Sequence, residues 1–353
     1  MKRHICFIIP SIGVGGAERV VSILANYMAS IDYKVSIICL VKNIAYPIDQ
    51  RVQFIFPHFS IKRDLSTLIK VIPYYRKAIR EIKPDVILSF LEFYNEITML
   101  SLLGIRKKIF LFDRNNPFLK EQTVVQTILR RFLYPKANGI VVQTKHAGEF
   151  ISKRKFNSNV LILPNPLSEI NKFWYPSSER KTIVCVGRIE KQKNQKYLID
   201  IFFQLYNDGW VLQFVGDGSY RVELEEYVNL LRMNNQVIFS GISSDVQTLL
   251  SESTIFAFPS LWEGFPNALL EAMAVGVPCI SNNCPTGPAE LIKDGENGFL
   301  VEIGDIDGFK NKLFELMNNA DLRHEFSKNC RNIRNQFSVE DVTKKLLKYI
   351  EPS

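Results

Sequence analysis

Residues 4–29 read HICFIIPSIGVGGAERVVSILANYMA and open the chain with a short apolar run, a glycine-rich loop and a helical pattern. The apolar run fits one buried strand, and apolar residues after the loop recur at helical spacing. Strand, glycine loop and helix in this order predict one βα unit of a parallel sheet. The dinucleotide fingerprint GxGxxG would need glycine at position 18, where the chain has Glu18, so a hydride-transferring enzyme is disfavoured.

The same alternation of strand-like and helical segments continues along the chain. A linker-like stretch with three prolines, PNPLSEINKFWYPSSERK at 164–181, interrupts the pattern, which then restarts. The apolar runs that we interpret as strands are 35–41, 86–91, 108–112, 139–144 and 160–165 before this stretch, and 181–187, 211–216, 237–241, 254–260, 277–281 and 298–301 after it. Both halves are therefore predicted to form parallel sheets that helices cover on both faces.

The predicted fold class is α/β, and a chain of 353 residues is long enough for two domains. We expect a Rossmann-like domain at 1–165, a second one at 166–337, and an amphipathic closing helix at 338–353 that returns toward the N-terminal domain. The two domains are expected to face a cleft, because ligands of such sheets bind at the carboxyl ends of the strands.

The composition of the chain restricts its possible binding partners and its cellular compartment. The chain carries 44 Lys and Arg against 36 Asp and Glu, and a net charge of +8 favours anionic partners. No nucleic-acid-reading motif accompanies this charge, so nucleic acid is disfavoured. The six cysteines form no CxxC pair, which indicates a reduced, cytosolic protein without a zinc ribbon or disulfide framework. No apolar run approaches the roughly 20 residues that span a bilayer.

The stretch EGFPNALLE at 263–271 places Glu271 inside an otherwise apolar helical segment, with Glu263 on the loop before it. A buried carboxylate is costly unless a partner or a ligand satisfies it. Pro266 suits a first helical turn, so we expect the helix to begin there and to present free backbone amides to anionic phosphate. Carboxylates beside a phosphate site fit a ligand that also carries vicinal hydroxyls. A nucleotide-sugar has phosphates, a ribose and a hexose.

A second candidate site is VGRIEKQKN at 186–194, after the first strand of the C-terminal half. Arg188 follows the strand directly and Lys193 comes five residues later; together they can clamp a diphosphate. The alternative is a solvated basic loop, but a position at the carboxyl end of a strand favours the diphosphate. The loop with Gly15 and Gly16 precedes a helix N-terminus, so it is either a phosphate site or a tight turn without a ligand.

Four motifs together resemble retaining glycosyltransferase family 4, whose members have the GT-B fold of two Rossmann-like domains. They are GGAE at 15–18, VGRIEKQKN at 186–194, EGFPNALLE at 263–271 and CPTGPAELIKDGENGFLV at 284–301. The motifs occur in the family's order, and the resemblance covers nearly the whole chain. The form with CPTGP resembles bacterial transferases that extend lipid-linked oligosaccharides for glycoproteins or for surface polysaccharides such as O-antigen, capsule and lipopolysaccharide.

The resemblance implies a role for each candidate residue. Glu263, Arg188 and Lys193 are the catalytic candidates: Glu263 is expected at the hydroxyls of the donor sugar, and the two cations at its diphosphate. Glu271 is expected at the ribose. The other donor-binding residues that the resemblance implies are Gly15, Gly16, Gly216, Gly218, Phe265 and the backbone amides around Asn267, Ala268 and Leu269. The acceptor candidates, from the stretch FDRNNP, are Arg114 and Asn115.

The implied reaction moves a hexose or N-acetylhexosamine from a nucleotide-diphospho sugar, with UDP preferred, to a polyprenyl-diphosphate-linked saccharide. The anomeric configuration is retained, and the departing phosphate oxygen takes the acceptor's proton, so no protein nucleophile is required. We predict no metal cofactor. Asp305 and Asp307 do spell DxD, but they precede a helical segment, where an N-capping or turn role is the better interpretation.

The segments 61–83 and 118–136 mix basic residues with aliphatic and aromatic ones. Such helices either bind an anionic leaflet or pack normally with a solvated basic edge. The lipid-diphosphate acceptors of the family favour the membrane, so we expect a cytoplasmic protein held peripherally on the inner face of the cell membrane. The alternatives are a sugar-nucleotide epimerase or phosphorylase of the same fold, although the cofactor-lysine motif of a phosphorylase is not found, and a non-catalytic nucleotide-sugar sensor.

Overall fold

The structure, a computed structural model, describes residues 3–59, 65–114, 123–175, 181–205 and 209–351. The chain divides into two compact units. The N-terminal unit contains residues 1–168 together with 337–353, and the C-terminal unit contains residues 169–336.

The N-terminal unit is built on a parallel sheet of seven described strands in the order β3-β2-β1-β4-β5-β6-β7. These strands are β1 His4–Ile8, β2 Lys34–Ile38, β3 Gln53–Ile55, β4 Val86–Phe90, β5 Lys108–Asp113, β6 Gly139–Val142 and β7 Val160–Ile162. Successive side chains of a strand point to opposite faces. Accordingly, Ile5 and Phe7 enter one hydrophobic core, whereas Cys6 and Ile8 enter another.

Helices cover both faces of this sheet, as predicted for a parallel sheet. The helices before the C-terminal unit are α1 Gly16–Ser30, α2 Leu65–Ile82, α3 Glu92–Ser101, α4 Val124–Leu133 and α5 Lys145–Lys153. The order of the strands reverses between β1 and β4. Such a switch point leaves a crevice at the carboxyl ends of the strands, where ligands bind in folds of this kind.

The C-terminal unit has a second parallel sheet, with six described strands in the order β10-β9-β8-β11-β12-β13. Its strands are β8 Thr182–Val186, β9 Val211–Val215, β10 Val237–Phe239, β11 Ile255–Phe258, β12 Cys279–Asn283 and β13 Phe299–Glu302. Its helices are α6 Gln195–Leu205, α7 Arg221–Leu230, α8 Val246–Ser251, α9 Asn267–Val275, α10 Pro288–Leu291, α11 Ile306–Asn318, α12 Ala320–Cys330 and α13 Ile333–Gln336. The switch point here lies between β8 and β11, the two strands that precede the predicted catalytic residues.

The last helix, α14 (Val339–Ile350), belongs to the N-terminal unit. Ser338 caps it, since its side chain accepts a hydrogen bond from the amide of Asp341. Val342, Leu346 and Ile350 share a core with residues of α1. The predicted return of the closing helix to the N-terminal domain is therefore confirmed.

The predicted strands all occur, and the structure adds β3, a short strand that was not predicted although it lies in the largely apolar run VQFIF at 52–56. All six cysteines are buried and free. Cys6, Cys185 and Cys279 lie in strands, where cysteine usually acts as a small hydrophobe. Burial raises the pKa of Cys185 to about 12. Among the described helices, none combines the length and apolar character needed to cross a membrane.

Candidate active site

The loop between β11 and α9 carries Glu263, as predicted. Pro266 is the N-cap of α9 and not its first helical residue, so the helix begins one position later than expected. Its C-terminal end is Gly276, whose φ of 99° suits glycine. Residues 269–275 are buried, including Glu271, which is 8% exposed.

Glu263 forms an ion pair with Lys193. Nζ of Lys193 lies 2.6 Å from Oε1 of Glu263, and the side chains are 15% and 7% exposed. The same ammonium lies 5.0 Å from the centre of the Phe258 ring, within the range of a cation–π interaction. Screening by water is weak at this burial, so each charge depends on the other. Lys193, which was predicted to bind the diphosphate, is thus paired with Glu263, which was predicted to bind the sugar.

Backbone contacts fix the two loops that carry this pair. The 3-10 turn Lys191–Lys193 meets the loop after β11 at Gln192, whose Nε2 donates to O of Trp262 at 2.6 Å. The amide of Leu261 donates in return to O of Gln192 at 2.9 Å. Thr286 anchors the other side, since its hydroxyl donates to the backbone O of Glu263. Gln192 and Thr286 were not predicted, although both lie inside the motifs VGRIEKQKN and CPTGP.

Arg188 differs from Lys193 in its surroundings. It follows β8 directly, is exposed, and forms no ion pair within 4 Å with a described carboxylate, although it lies close enough to Glu190 for their charges to interact. Its backbone O accepts a hydrogen bond from Nε2 of Gln195 at 2.9 Å. The loop is therefore anchored through its backbone, and the guanidinium remains available to an anion.

The first amides of α9 divide into two groups. The amide of Asn267 donates to O of Phe265 at 3.0 Å, so it is engaged within the turn. The amides of Ala268 and Leu269 meet no acceptor within the part of the chain that the structure describes. Glu271 follows Asn267 by four residues, which places both on the same face of the helix. The predicted anion-binding amides therefore reduce to two.

Gly216 and Gly218 follow β9 and lie against the loop of Arg188. A Cβ atom at Gly216 would clash with O of Gly187, and one at Gly218 with O of Ile189. Because these neighbours are backbone atoms, neither position has room for a side chain. The close packing of two loops explains both glycines without a ligand, and their contact with a nucleotide stays a prediction.

Gly15 and Gly16 belong to the N-terminal unit, where Gly15 caps α1 and Gly16 is its first residue. The hydroxyl of Tyr46 donates to O of Gly15 at 3.2 Å, which fixes the loop. A Cβ atom at Gly15 would meet the carboxylate of Glu18. An acidic side chain thus lies at the N-terminus of the helix where phosphate binding was predicted, and the phosphate role of this loop stays a prediction.

Arg114 follows β5 and is half-buried among polar partners. Its guanidinium donates to Oδ1 of Asn165 and lies 5.6 Å from the ring centre of Phe90. Gln143, in the orientation that satisfies both ends of its amide, accepts from Nη2 of Arg114 at 3.0 Å. Burial lowers the pKa of Arg114, and the nearby carboxylate of Glu18 opposes that effect. Asn115 lies outside the described residues. Gln143 and Asn165 were not predicted, because they come from distant strand ends.

The DxD-like pair has the predicted structural role. Asp305 caps α11 by accepting from the amide of Gly308 at 2.9 Å. Asp307 pairs with Lys310 on the surface at 2.8 Å. Within the described ranges, no three His, Cys, Asp or Glu side chains gather in a way that could hold a metal ion.

Comparison with known proteins identifies the family to which the chain belongs. The family profile "Glycosyltransferase Family 4" matches residues 14–168, and "Glycosyl transferases group 1" matches residues 168–333. The two matches meet at the boundary between the units and together extend over most of the chain. The chain belongs to glycosyltransferase family 4.

Individual relatives cover the glycosyltransferase from end to end. An uncharacterized glycosyltransferase of Haemophilus influenzae is 28% identical over 96% of this chain and 98% of its own. The GalNAc-alpha-(1->4)-GalNAc-alpha-(1->3)-diNAcBac-PP-undecaprenol alpha-1,4-N-acetyl-D-galactosaminyltransferase of Campylobacter jejuni is 27% identical over 98% of both chains. HepE of Anabaena, solved with UDP and glucose, superposes with a TM-score of 0.84 at 19% identity, covering 99% of this chain and 100% of its own.

These findings confirm the predicted family and the GT-B fold of the glycosyltransferase. At 19% identity, the likeness to HepE shows the fold alone. The roles of the individual site residues depend on the geometry described above and stay predictions.

Proposed function

We propose that the enzyme is a retaining, metal-independent glycosyltransferase that moves a hexose or N-acetylhexosamine from a UDP-sugar to a polyprenyl-diphosphate-linked saccharide. The observation that carries the proposal is the ion pair of Lys193 and Glu263 at the switch point of the C-terminal sheet. Glu263 lies on the loop that leads into α9, in which the amides of Ala268 and Leu269 have no acceptor among the described residues. Cations and amides suit a diphosphate, and carboxylates suit sugar hydroxyls.

The chemistry follows from where charge develops. The bond between the anomeric carbon and the diphosphate oxygen breaks, and the acceptor oxygen bonds to the anomeric carbon on the same face. The acceptor's proton passes to the departing phosphate oxygen. Negative charge grows on the diphosphate, so Arg188, Lys193 and the helix amides stabilise the transition state without a metal. Glu263 orients the sugar through its hydroxyls.

The donor and the acceptor are proposed from relatives. UDP and glucose accompany HepE in its crystal structure, which supports a UDP-sugar here. The name of the Campylobacter relative specifies an undecaprenol-diphosphate acceptor, which supports a lipid-linked acceptor and a place in glycan or polysaccharide assembly. The same name specifies an alpha linkage, which is the outcome of retention when the donor is alpha-linked.

A membrane contact is proposed at α4. One face of this helix is apolar and at least half exposed, from 50% to 75% by residue. These residues, which we call the outer face of α4, are Val124, Val125, Ile128 and Phe132. Arg131 and Lys136 are also exposed, and no acidic residue occurs between Thr123 and Gly148. An apolar stripe beside cations fits the anionic inner face of a cell membrane.

The test is a donor screen with the purified enzyme and a synthetic polyprenyl-diphosphate saccharide. UDP-glucose, UDP-galactose, their N-acetylated counterparts and GDP-mannose are supplied with and without EDTA. We expect one UDP-sugar to yield UDP and an alpha-linked product at the same rate in EDTA. Nucleotide release without a glycosylated acceptor would indicate hydrolysis or epimerisation, and no release with any donor would favour a sensor. An inverted linkage, or activity lost in EDTA and restored by a divalent cation, would overturn the corresponding part of the proposal.

A further inference from the structure

Arg130, on the opposite side of α4 from the outer face, is the most deeply buried arginine of the described chain, at 1% exposure. Each of three guanidinium nitrogens faces a different carboxylate. Nε donates to Glu96 at 2.9 Å, Nη2 lies 3.1 Å from Glu92, and Nη1 lies 3.8 Å from Asp113. The three carboxylates are themselves at most 5% exposed. We call this set the Arg130 cluster.

The Arg130 cluster joins three elements of the N-terminal unit. Glu92 and Glu96 lie on α3, one turn apart, and Asp113 is the last residue of β5. Arg114 follows immediately, and since neighbouring side chains of a strand alternate, it points away from the cluster. One end of β5 is therefore fixed on one face by Arg130 and on the other by the partners of Arg114.

Stability alone does not account for such a cluster. Apolar residues of similar volume are often as stabilising as buried ion pairs, whereas removal of one partner is strongly destabilising. The contact with Asp113 is also the loosest of the three, and Nη1 makes no hydrogen bond to a described residue. A shift of about 1 Å would bring it to hydrogen-bond distance. α3 supplies a rigid support, because Leu91 at its N-cap has a positive φ of 74°, a costly conformation that only fixed surroundings maintain.

We propose that Arg130 is a positioning residue that transmits the docking of α4 on a membrane to Asp113 and Arg114. This inference rests on the proposed function, in which the outer face of α4 meets the bilayer and Arg114 lies on the acceptor side. When the outer face is docked, α4 is held in place, Arg130 closes on Asp113, and the end of β5 is set for the lipid-linked acceptor. The donor-binding candidates of the C-terminal unit, Arg188, Lys193, Glu263 and Glu271, are left unchanged.

Hydrogen exchange of the unmodified enzyme gives the first test. Vesicles of phosphatidylglycerol are added, and exchange is followed in peptides that cover β5 and, as a reference, β2. We expect slower exchange at the end of β5 and no change at β2. Slower exchange confined to α4, with β5 unchanged, would overturn the proposal. This readout needs no turnover, so it is independent of the donor screen that tests the proposed function.

Kinetics of the variant Asp113→Asn gives the second test. The variant keeps Arg130 paired with Glu92 and Glu96 and removes the charge of Asp113 that faces Nη1. We expect the acceptor KM to rise by about tenfold and the stimulation by anionic vesicles to be lost, with the donor KM unchanged. Arg130→Lys should show the same pattern, and Lys328→Ala, which removes an exposed cation of α12 in the C-terminal unit, should not. An unchanged acceptor KM in folded Asp113→Asn, or an equal loss toward the donor, would contradict a positioning role.

Discussion

Lys193 and Glu263 are 70 residues apart in the chain, yet their charged atoms lie 2.6 Å apart because β8 and β11 are neighbours in the sheet. Each residue was expected to face the donor by itself. The pair instead neutralises two charges that are both largely withdrawn from water. Any change at one of them therefore alters the other, which sets the design of the first experiment.

We predict that Glu263→Gln lowers kcat by at least about tenfold with the fold intact, because the amide still accepts from Lys193 but loses its charge at the sugar. Glu263→Ala leaves the lysine buried without its partner and should lower the free energy of unfolding by about 3 kcal/mol. Lys193→Met together with Glu263→Ala should recover part of that stability. Urea unfolding and turnover are measured for the unmodified enzyme, for these three variants and for Lys193→Met alone, which completes the double-mutant cycle.

Additive losses of unfolding free energy in the single and double variants would contradict an energetic coupling between Lys193 and Glu263. If the two single losses of stability sum to the loss in the double variant, the ion pair contributes no coupling energy. If Glu263→Gln turns over at the normal rate, its catalytic role is wrong.

Arg188 is predicted to matter for turnover and not for stability. Arg188→Ala should lower kcat/KM for the donor by at least about tenfold, because the guanidinium stabilises the diphosphate in the transition state. The melting temperature should not move, since the side chain is exposed and its loop is held through the backbone. Lys191→Ala is the matched control, an exposed cation three residues away that stacks on Tyr220. Equal effects at both positions would point to a general loss of positive charge.

Glu271 is predicted to bind the ribose of the nucleotide. Glu271→Gln should raise the Kd of UDP, measured by calorimetry, by about tenfold, because a charged hydrogen-bond acceptor is lost. The sharper measurement uses 2′-deoxy-UDP and 3′-deoxy-UDP. The unmodified enzyme should discriminate against at least one of them, and Glu271→Gln should bind that analogue and UDP alike. If Glu271→Gln still binds UDP more tightly than the deoxy analogue, Glu271 does not bind the ribose.

The outer face of α4 is predicted to carry the membrane contact. Ile128→Ser with Phe132→Ser should reduce partitioning onto phosphatidylglycerol vesicles by at least about tenfold, because two large apolar groups no longer leave water. Leu230→Ser on α7 removes a still more exposed apolar side chain and should have no effect. Binding should also weaken as salt rises, since charge contributes. Partitioning that follows net charge alone, with no response to the two substitutions, would refute insertion of this face.

Much of the architecture could be predicted from local pattern. The apolar runs and the helical spacing between them predicted the strands and their parallel arrangement, because a strand buried on both faces must be apolar throughout. The role of Asp305 was also predictable, since an N-cap depends on residues within one helical turn. β3 was not predicted: the run VQFIF at 52–56 is largely apolar, but it is short and only three of its residues form the strand.

The sequence predicted individual residues of the candidate site but not the contacts between them. Arg188, Lys193 and Glu263 were expected because they follow strands, where ligands bind. Arg130 lies within a segment interpreted as a basic amphipathic helix, and the structure shows that it is buried against carboxylates from α3 and β5. Gln143 and Asn165 reach Arg114 from other strand ends, and nothing in their local sequence marks them.

The sequence alone determined all strands but β3, the loops that follow them and the family that the chain resembles, because these depend on composition, spacing and motifs within short segments. The tertiary structure alone decided that Lys193 is paired with Glu263, that Asn267 uses its amide within its own turn, and that Arg130 faces inward. These facts depend on the distances between atoms of segments far apart in the chain. Hydrogen bonds and buried ion pairs are effective only over a few ångströms, so packing, and not the local pattern, selects the partners.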